Sequence, residues 1–288
     1  MKDIKGFVKL FDFNIPDYNH FDYYFSQLSK LKQWSNIYDL IELYKDFEKD
    51  CDDVLKYKIE KSNQIIEHIR NSHAYQEITC HPMVDLPTTK NFVYEEDKIY
   101  VSIDIIKANY SILKKYDPAH INDLGDSYED LLAKFDVHPI FNHSKVFRQF
   151  IFGNLNPKRQ IKAQREVIEE LRKSLSNLSL EEICVKSDEI IYAVDSFETV
   201  ELLSQLIDSN KFKLRVYKVE RIEDFRLNTY YDVLGNELEK ALVGCNGTRY
   251  YIYLKQLILN ESLDIRDLLF KADGNVAIWY IEGLKVEL

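Results

Sequence analysis

Residues 182–194 read Glu-Ile-Cys-Val-Lys-Ser-Asp-Glu-Ile-Ile-Tyr-Ala-Val, which is two apolar runs around the polar turn Ser187-Asp188-Glu189. Short β-branched and aromatic runs on both sides of such a turn predict a β-hairpin. An earlier run of the same kind, Lys98-Ile-Tyr-Val-Ser-Ile103, predicts another strand, paired as a hairpin with residues 91–94. Asp104 stands where that strand ends. The sequence therefore places carboxylates at the ends of predicted strands.

The predicted elements around these strands indicate an α+β protein with an antiparallel, palm-like sheet and helices. Apolar residues at helical spacing from Phe21 to about Ser72 predict three helices, so residues 1–77 are interpreted as a helical N-terminal subdomain. Residues 78–220 would form the palm-like catalytic core. Residues 221–288 read as a strand-rich region, with two further helices predicted near Glu237–Leu242 and Leu263–Phe270.

The composition limits the kinds of partner and compartment. The 288 residues carry a formal net charge of −10, so a broad basic groove for long nucleic acid is not expected, and any nucleic-acid contact must be local or assisted by metal ions or a partner. No apolar run approaches the roughly eighteen residues of a membrane span, so we expect no membrane partner. Four scattered cysteines fit a reducing cytoplasm. The abundance of Lys, Ile, Asn, Tyr and Asp suggests an A/T-rich viral or phage genome, and hence the host cytoplasm.

A basic stretch lies between Asp104 and the turn Ser187-Asp188-Glu189. From Lys145 to Lys173 eight basic residues stand against three acidic ones. This stretch reads as two helices, over residues 145–152 and from Asn156-Pro157 to about Leu175. Carboxylates on rigid strand ends suit Mg²⁺ or Mn²⁺, and a basic helix nearby would hold a triphosphate.

In this order the residues resemble the three motifs of family B DNA polymerases. Asp104 to Ile112 resembles motif A, Lys145-Val-Phe-Arg-Gln-Phe-Ile-Phe-Gly153 resembles motif B with the same Lys-to-Gly distance, and Val185 to Tyr192 resembles motif C. The Ser-Asp-Glu-Ile string is also similar to that of the tRNA-histidine guanylyltransferases. The resemblance implies that Asp104 and Asp188 ligate metals, that Lys145 contacts the incoming triphosphate, and that Tyr110 lies near its sugar.

The leading hypothesis is a two-metal-ion nucleotidyltransferase, a small polymerase-like enzyme that joins a nucleoside triphosphate to a hydroxyl of a nucleic acid primer or a nucleotide. Its predicted catalytic and metal-binding residues are Asp104, Asp188 and Glu189, and its predicted substrate-binding residues are Lys145, Arg148, Lys158, Arg159 and Tyr110. One alternative is a catalytically degenerate viral palm protein that binds a nucleotide or a protein partner. Another is a metal-dependent nuclease, because carboxylates with Mg²⁺ serve hydrolysis equally well.

Overall fold

The computed structural model describes residue 46 and residues 54–89, 92–117, 124–245, 252–258, 260–272, 275–278 and 286–287. Its helices are α1 (Val54–Asn71), α2 (His73–Cys80), α3 (Ala108–Lys115), α4 (Tyr128–Ala133), α5 (Lys145–Gly153), α6 (Pro157–Ser174) and α7 (Phe197–Leu206). Its strands are β1 (Ile99–Ile105), β2 (Glu181–Val185), β3 (Glu189–Val194), β4 (Phe212–Ile222), β5 (Phe225–Tyr231), β6 (Glu237–Val243), β7 (Leu263–Asp264), β8 (Leu269–Ala272), β9 (Asn275–Ile278) and β10 (Val286–Glu287). Helices beside an antiparallel sheet confirm the α+β class.

The main sheet has six strands in the order β2-β3-β1-β4-β5-β6, with every neighbouring pair antiparallel. Helices α3 to α6 connect β1 to β2, a tight turn connects β2 to β3, and α7 connects β3 to β4. This is a β-α-β-β-α-β succession with β1 and β3 in the middle, the split βαβ arrangement. As a result, the C-terminal end of β1 and the β2–β3 turn lie side by side, at the same end of the strands.

The two faces of the sheet differ because side chains alternate along each strand. Val101 and Ile103 of β1 pack on one side against Ile168 and Leu171 of α6 and Leu203 of α7, and we call this side the helix face. The opposite side carries a second buried cluster, which we call the aromatic face; its members are Tyr100, Cys184, Ile191, Ala193, Tyr217 and Val219, with Phe92, Tyr94, Ile183 and Tyr230 packed against them. Asp104 shares the parity of Tyr100 and therefore belongs to the aromatic face.

A larger apolar cluster joins the helices to the far side of the sheet. It unites Ile65 and Ile69 of α1 with Phe147 of α5, and it reaches Phe225 and Leu227 of β5. The helices that precede β1 thus share a core with the helices that follow it. Residue 220, the predicted end of the core, lies inside β4, and β5 and β6 continue the same sheet.

The basic side of α6 holds the segment that leads into the sheet. Arg159 donates to the carbonyl of Ile78 at 2.9 Å and to that of His81, and the Arg165 Nε donates to the carbonyl of Pro87 at 2.9 Å. Lys162 forms an ion pair with Asp85 at 2.8 Å. Much of the local basic excess is therefore used to anchor residues 78–87.

The predicted pairing of residues 91–94 with β1 is wrong. Phe92–Tyr94 forms no strand in the described part of this segment, because both edges of β1 are already occupied by β3 and β4. The segment instead lies over the aromatic face. The Tyr94 ring meets the Tyr100 ring at 4.8 Å, and the Tyr100 hydroxyl accepts from the Glu95 N–H at 2.6 Å and donates to the Glu95 carbonyl at 2.9 Å.

Two predicted helices in the C-terminal region are also wrong. Residues 237–243 form β6, since pairing with β5 outweighs the local helical pattern. Residues 263–272 form the short strands β7 and β8 around a single 3₁₀ turn. Within the part of the chain that the structure describes, no helix combines the length and apolar character required to cross a membrane.

We expect Tyr100→Phe to lower the free energy of unfolding by about 1–2 kcal/mol, because the buried hydroxyl serves both main-chain groups of Glu95. Urea unfolding followed by circular dichroism measures the change. Tyr75→Phe on α2 is the matched control, since that ring is only partly buried. Equal losses in the two variants would contradict the role given to the Tyr100 hydroxyl.

Candidate active site at the end of β1

Strand pairing brings Asp104 next to the turn that carries Asp188 and Glu189. Asp104 on β1 is the Cα partner of Glu189 on β3, and the Ile105 N–H donates to the Asp188 carbonyl at 2.9 Å. Directly opposed residues of an antiparallel pair point to the same face. Asp104 and Glu189 therefore share the aromatic face at the sheet edge where Asp188 occupies the β2–β3 turn.

Glu189 is held as a carboxylate by two donors. The Ser102 hydroxyl donates to Oε1 at 2.5 Å, and the Lys186 ammonium donates to Oε2 at 2.5 Å. Burial acts to raise the pKa of Glu189, but the hydrogen bonds from Lys186 and Ser102 outweigh it and hold the pKa below its usual value. Glu189 is thus ionised and oriented before any ligand arrives.

The surroundings of Asp104 have the opposite effect from those of Glu189, because they raise its pKa. Its side chain is 27 % exposed, and burial raises its pKa to about 6. The negative charges of Asp188 and Glu189 also raise this pKa, whereas Arg215 and Lys213 lower it. Arg215 on β4 donates to the Asp104 Oδ2 at 3.0 Å. The site therefore concentrates negative charge beside a partly buried carboxyl group.

Asp188 lies half-buried in the β2–β3 turn. The Ser187 hydroxyl is 3.2 Å from its Oδ1, so the turn itself orients the side chain. Its main-chain carbonyl is used by Ile105, which ties the turn to the end of β1. The Asp188 position is consequently fixed on both sides, by its own turn and by the neighbouring strand.

The three carboxylates match the donor chemistry of a hard divalent cation, because all offer oxygen from rigid supports. The predicted set of three ligands is nevertheless not brought together as a metal cluster: among the described residues, no group of three or more His, Cys, Asp or Glu side chains is close enough to hold an ion. Glu189 is committed to Lys186 and Ser102, and one oxygen of Asp104 is committed to Arg215. Asp104 and Asp188 are the better-placed pair of donors.

Arg148 of α5 lies near the chain that leaves β1. Its guanidinium is 5.8 Å from the centre of the Tyr128 ring, and the Lys107 ammonium is also 5.8 Å from that ring. Lys107 follows Asp104 by three residues, adopts a left-handed conformation with φ 47°, and binds both oxygens of Glu129 at 2.6 Å. Two cations therefore converge on one aromatic ring beside the carboxylate end of β1.

The other predicted substrate-binding residues have different surroundings. Lys145 is the first residue of α5. Lys158 is exposed on α6, and the neighbouring Arg159 is engaged with main-chain carbonyls of the segment after α2. Tyr110 is 5 % exposed and donates to the Gly125 carbonyl at 3.0 Å, so it supports the core beneath Tyr128. The structure thus groups Arg148 with Lys107 and leaves Lys158 and Arg159 on a helix that packs on the helix face.

Sequence reasoning missed four residues of the site: Ser102, Lys186, Lys213 and Arg215. Ser102 and Lys186 could have been noticed, since each lies within three residues of a predicted carboxylate. Lys213 and Arg215 alternate with the apolar Phe212, Leu214 and Val216, which is the signal of a strand with one polar face. The sequence of this strand does not indicate which strand it pairs with, so its contact with β1 could not be predicted.

We expect Asp104→Asn to gain stability relative to the unchanged protein as pH rises. The folded-state pKa of about 6 lies above the ordinary 3.8, so the folded protein binds more protons between these values, and its stability falls as pH rises from about 4 to about 6. Asparagine remains neutral, so the difference in unfolding free energy should grow across this window to at most about 3 kcal/mol. Urea unfolding at several pH values, in the presence of a chelator, measures it.

Asp195→Asn, at the opposite end of β3, is the matched control because it removes the same charge from an exposed position outside the site. A difference between Asp104→Asn and the unchanged protein that stays constant from pH 4 to pH 7 would contradict the burial of the Asp104 carboxylate.

No protein-family model matches the sequence, and no curated protein matches it. The resemblance to palm enzymes therefore stays a prediction from the sequence.

Proposed function

We propose that the protein is a metal-dependent nucleotidyltransferase with a polymerase-like, palm-type site at the end of β1. The observation that carries the proposal is that strand pairing brings Asp104 and Glu189 to one face of a split βαβ sheet and the Asp188 turn to the same end of its strands. Asp104 and this turn are more than eighty residues apart in sequence, and both stand on backbone that the sheet holds rigid. Neighbouring carboxylates on rigid backbone are what metal-assisted phosphoryl transfer needs.

In the proposed reaction, an acceptor hydroxyl loses its proton to solvent and its oxygen bonds to the α-phosphorus of a nucleoside triphosphate, while the bond from that phosphorus to the bridging oxygen of the β-phosphate breaks and pyrophosphate leaves. Asp104 and Asp188 would hold Mg²⁺ or Mn²⁺. When bound, such ions favour deprotonation of the attacking hydroxyl and neutralise charge that develops on the phosphate. Glu189 would maintain the geometry through Ser102 and Lys186.

The triphosphate contacts are proposed for the cations beside the carboxylate end of β1. Arg148 and Lys107 share the Tyr128 ring, and Lys145 opens the helix that carries Arg148. Arginine and lysine are the usual partners of phosphate oxygens because they combine charge with several donors. Lys107 would exchange its Glu129 partner for a phosphate oxygen, whereas Arg159 is not among these contacts because its guanidinium anchors the carbonyls of Ile78 and His81.

A second function is favoured by one specific observation. Arg215 already pairs with Asp104 and Lys186 with Glu189, so two of the three carboxylates have protein cations as partners. A palm-like protein that binds a nucleotide or a protein partner without turnover would keep such pairs permanently. The two functions differ in whether a nucleotide becomes covalently attached.

We expect Asp188→Asn and Asp104→Asn each to reduce Mg²⁺- or Mn²⁺-dependent incorporation of a labelled nucleotide by at least about 100-fold, because each removes a proposed metal ligand. The assay uses primed and unprimed oligonucleotides with all four triphosphates. Asp195→Asn is the matched control and should retain full activity.

Unchanged incorporation in Asp188→Asn would sink the proposed mechanism. Nucleotide binding in a calorimeter without any incorporation by the unchanged protein would favour the non-catalytic function. Release of nucleotides from a labelled strand without added triphosphate would instead identify a nuclease.

A further inference from the structure

A groove of about 560 Å³ lies on the aromatic face, at the far end of β4 from Asp104. One wall is the segment Phe92–Tyr94, whose two rings meet edge to face at 5.0 Å. The other wall is the β4–β5 hairpin. The hairpin wall contributes Arg221, Glu223, Asp224 and Arg226. The groove therefore combines an aromatic wall with two arginines and two acidic residues.

The two arginines stand opposite each other, with the carboxylates of Glu223 and Asp224 in the same groove and that of Glu96 bound to the Arg221 N–H at 3.1 Å. Arg221 of β4 is the Cα partner of Arg226 of β5, so both side chains leave the same face. Like charges placed directly opposite on paired strands are destabilising. Within the described part of the chain, neither guanidinium forms an ion pair, and the Arg226 Nε is buried without a hydrogen-bond partner. A phosphate held between the two guanidinium groups would reduce their mutual repulsion.

The Arg226 guanidinium also lies 4.3 Å from the centre of the Tyr94 ring. That distance holds the guanidinium beside the aromatic wall, with its remaining donors available to the groove. Glu223, one of the two acids at the hairpin turn, accepts a hydrogen bond from the Tyr253 hydroxyl at 2.9 Å. A cation beside an aromatic ring is the usual pairing at sites where proteins bind unstacked bases and their phosphates.

We propose that this groove binds single-stranded nucleic acid, with a base against Phe92 and Tyr94 and a backbone phosphate between Arg221 and Arg226. The inference deepens the proposed function and rests on it for the identity of the substrate. A phosphate takes both guanidinium groups readily because each offers paired donors. A volume of this size accommodates about one nucleotide.

The position of the groove favours a strand over a free nucleotide. Lys213, beside Asp104, and Arg221 lie on the same face of β4 and are eight residues apart, which corresponds to about 26 Å along the strand. A strand whose end reaches Asp104 could also occupy the groove, whereas a single nucleotide could not occupy both places. With a net charge of −10, the protein must hold nucleic acid by such local contacts.

The test measures the binding of a fluorescein-labelled oligonucleotide of about twelve deoxythymidines to the full chain by fluorescence anisotropy. The solution contains a chelator and no triphosphate, so the carboxylate site does not contribute. Arg221→Ala and Arg226→Ala should each weaken binding about tenfold. The double variant Arg221→Ala/Arg226→Ala should also reduce the slope of log affinity against log salt by about 0.7, as expected for one lost phosphate contact on a single strand.

Lys218→Ala is the matched control, because Lys218 belongs to the same strand and carries the same charge on the opposite face. Arg221→Ala keeps the test decisive if Arg226→Ala unfolds, since the exposed Arg221 side chain forms no bond within the described residues. Equal affinity of Arg221→Ala and the unchanged protein would overturn the inference. Tighter binding of a hairpin duplex than of the single strand would overturn the choice of ligand.

The inference and the proposed function fail in different ways. Asp195→Asn, outside both sites, should bind the oligonucleotide and incorporate nucleotide as the unchanged protein does. If Asp188→Asn abolishes nucleotide incorporation while Arg221→Ala leaves oligonucleotide binding intact, the proposed nucleic-acid site in the groove is wrong and the proposed enzymatic function stands. If binding depends on Arg221 but the unchanged protein incorporates no nucleotide, the groove stands and the enzyme is wrong.

Discussion

The site depends on the pairing of β1 with β3 on one side and with β4 on the other. This central position places Asp104 opposite Glu189 and next to the Asp188 turn, and it places Arg215 within hydrogen-bond distance of Asp104. It also leaves β1 without a free edge, so Phe92–Tyr94 must cross the aromatic face. The central position of β1 thus creates both the carboxylate site and one wall of the groove that contains Arg221 and Arg226.

Three carboxylates at one sheet edge would repel one another if nothing opposed them. The structure offsets this cost in two ways. Lys186 and Ser102 stabilise Glu189 as an anion, while Arg215 and Lys213 only partly compensate Asp104, whose pKa remains raised to about 6. The remaining imbalance leaves net negative charge at the end of β1, which is what the proposed metal-dependent function requires.

The basic residues divide between structure and candidate chemistry according to the element they occupy. On α6, Arg159, Lys162 and Arg165 bind carbonyls and a carboxylate of residues 78–87, so a run that resembles a phosphate-binding helix is used to hold the chain. On α5, Arg148 instead faces Tyr128 beside Lys107. Counting charges along the sequence cannot separate these roles, because the count ignores which carbonyls lie within reach.

The sequence by itself determined the local features of this protein. It predicted α+β composition, the β2–β3 hairpin, α5 with its Ser144 cap, the start of α6 at Asn156-Pro157, and carboxylates at strand ends, because apolar periodicity and turn residues act over a few neighbouring positions. The predicted capping of α6 by the Asn156 side chain is wrong, since Asn156 is left-handed and forms no side-chain cap hydrogen bond. Tertiary structure alone decided that Asp104 meets Glu189, that Arg215 reaches Asp104 from 111 residues away, that residues 237–243 form a strand, and that Arg221 faces Arg226. These outcomes depend on which strands lie next to each other and on the register in which they pair. Both are set by the need to bury apolar side chains on the two faces of the whole sheet.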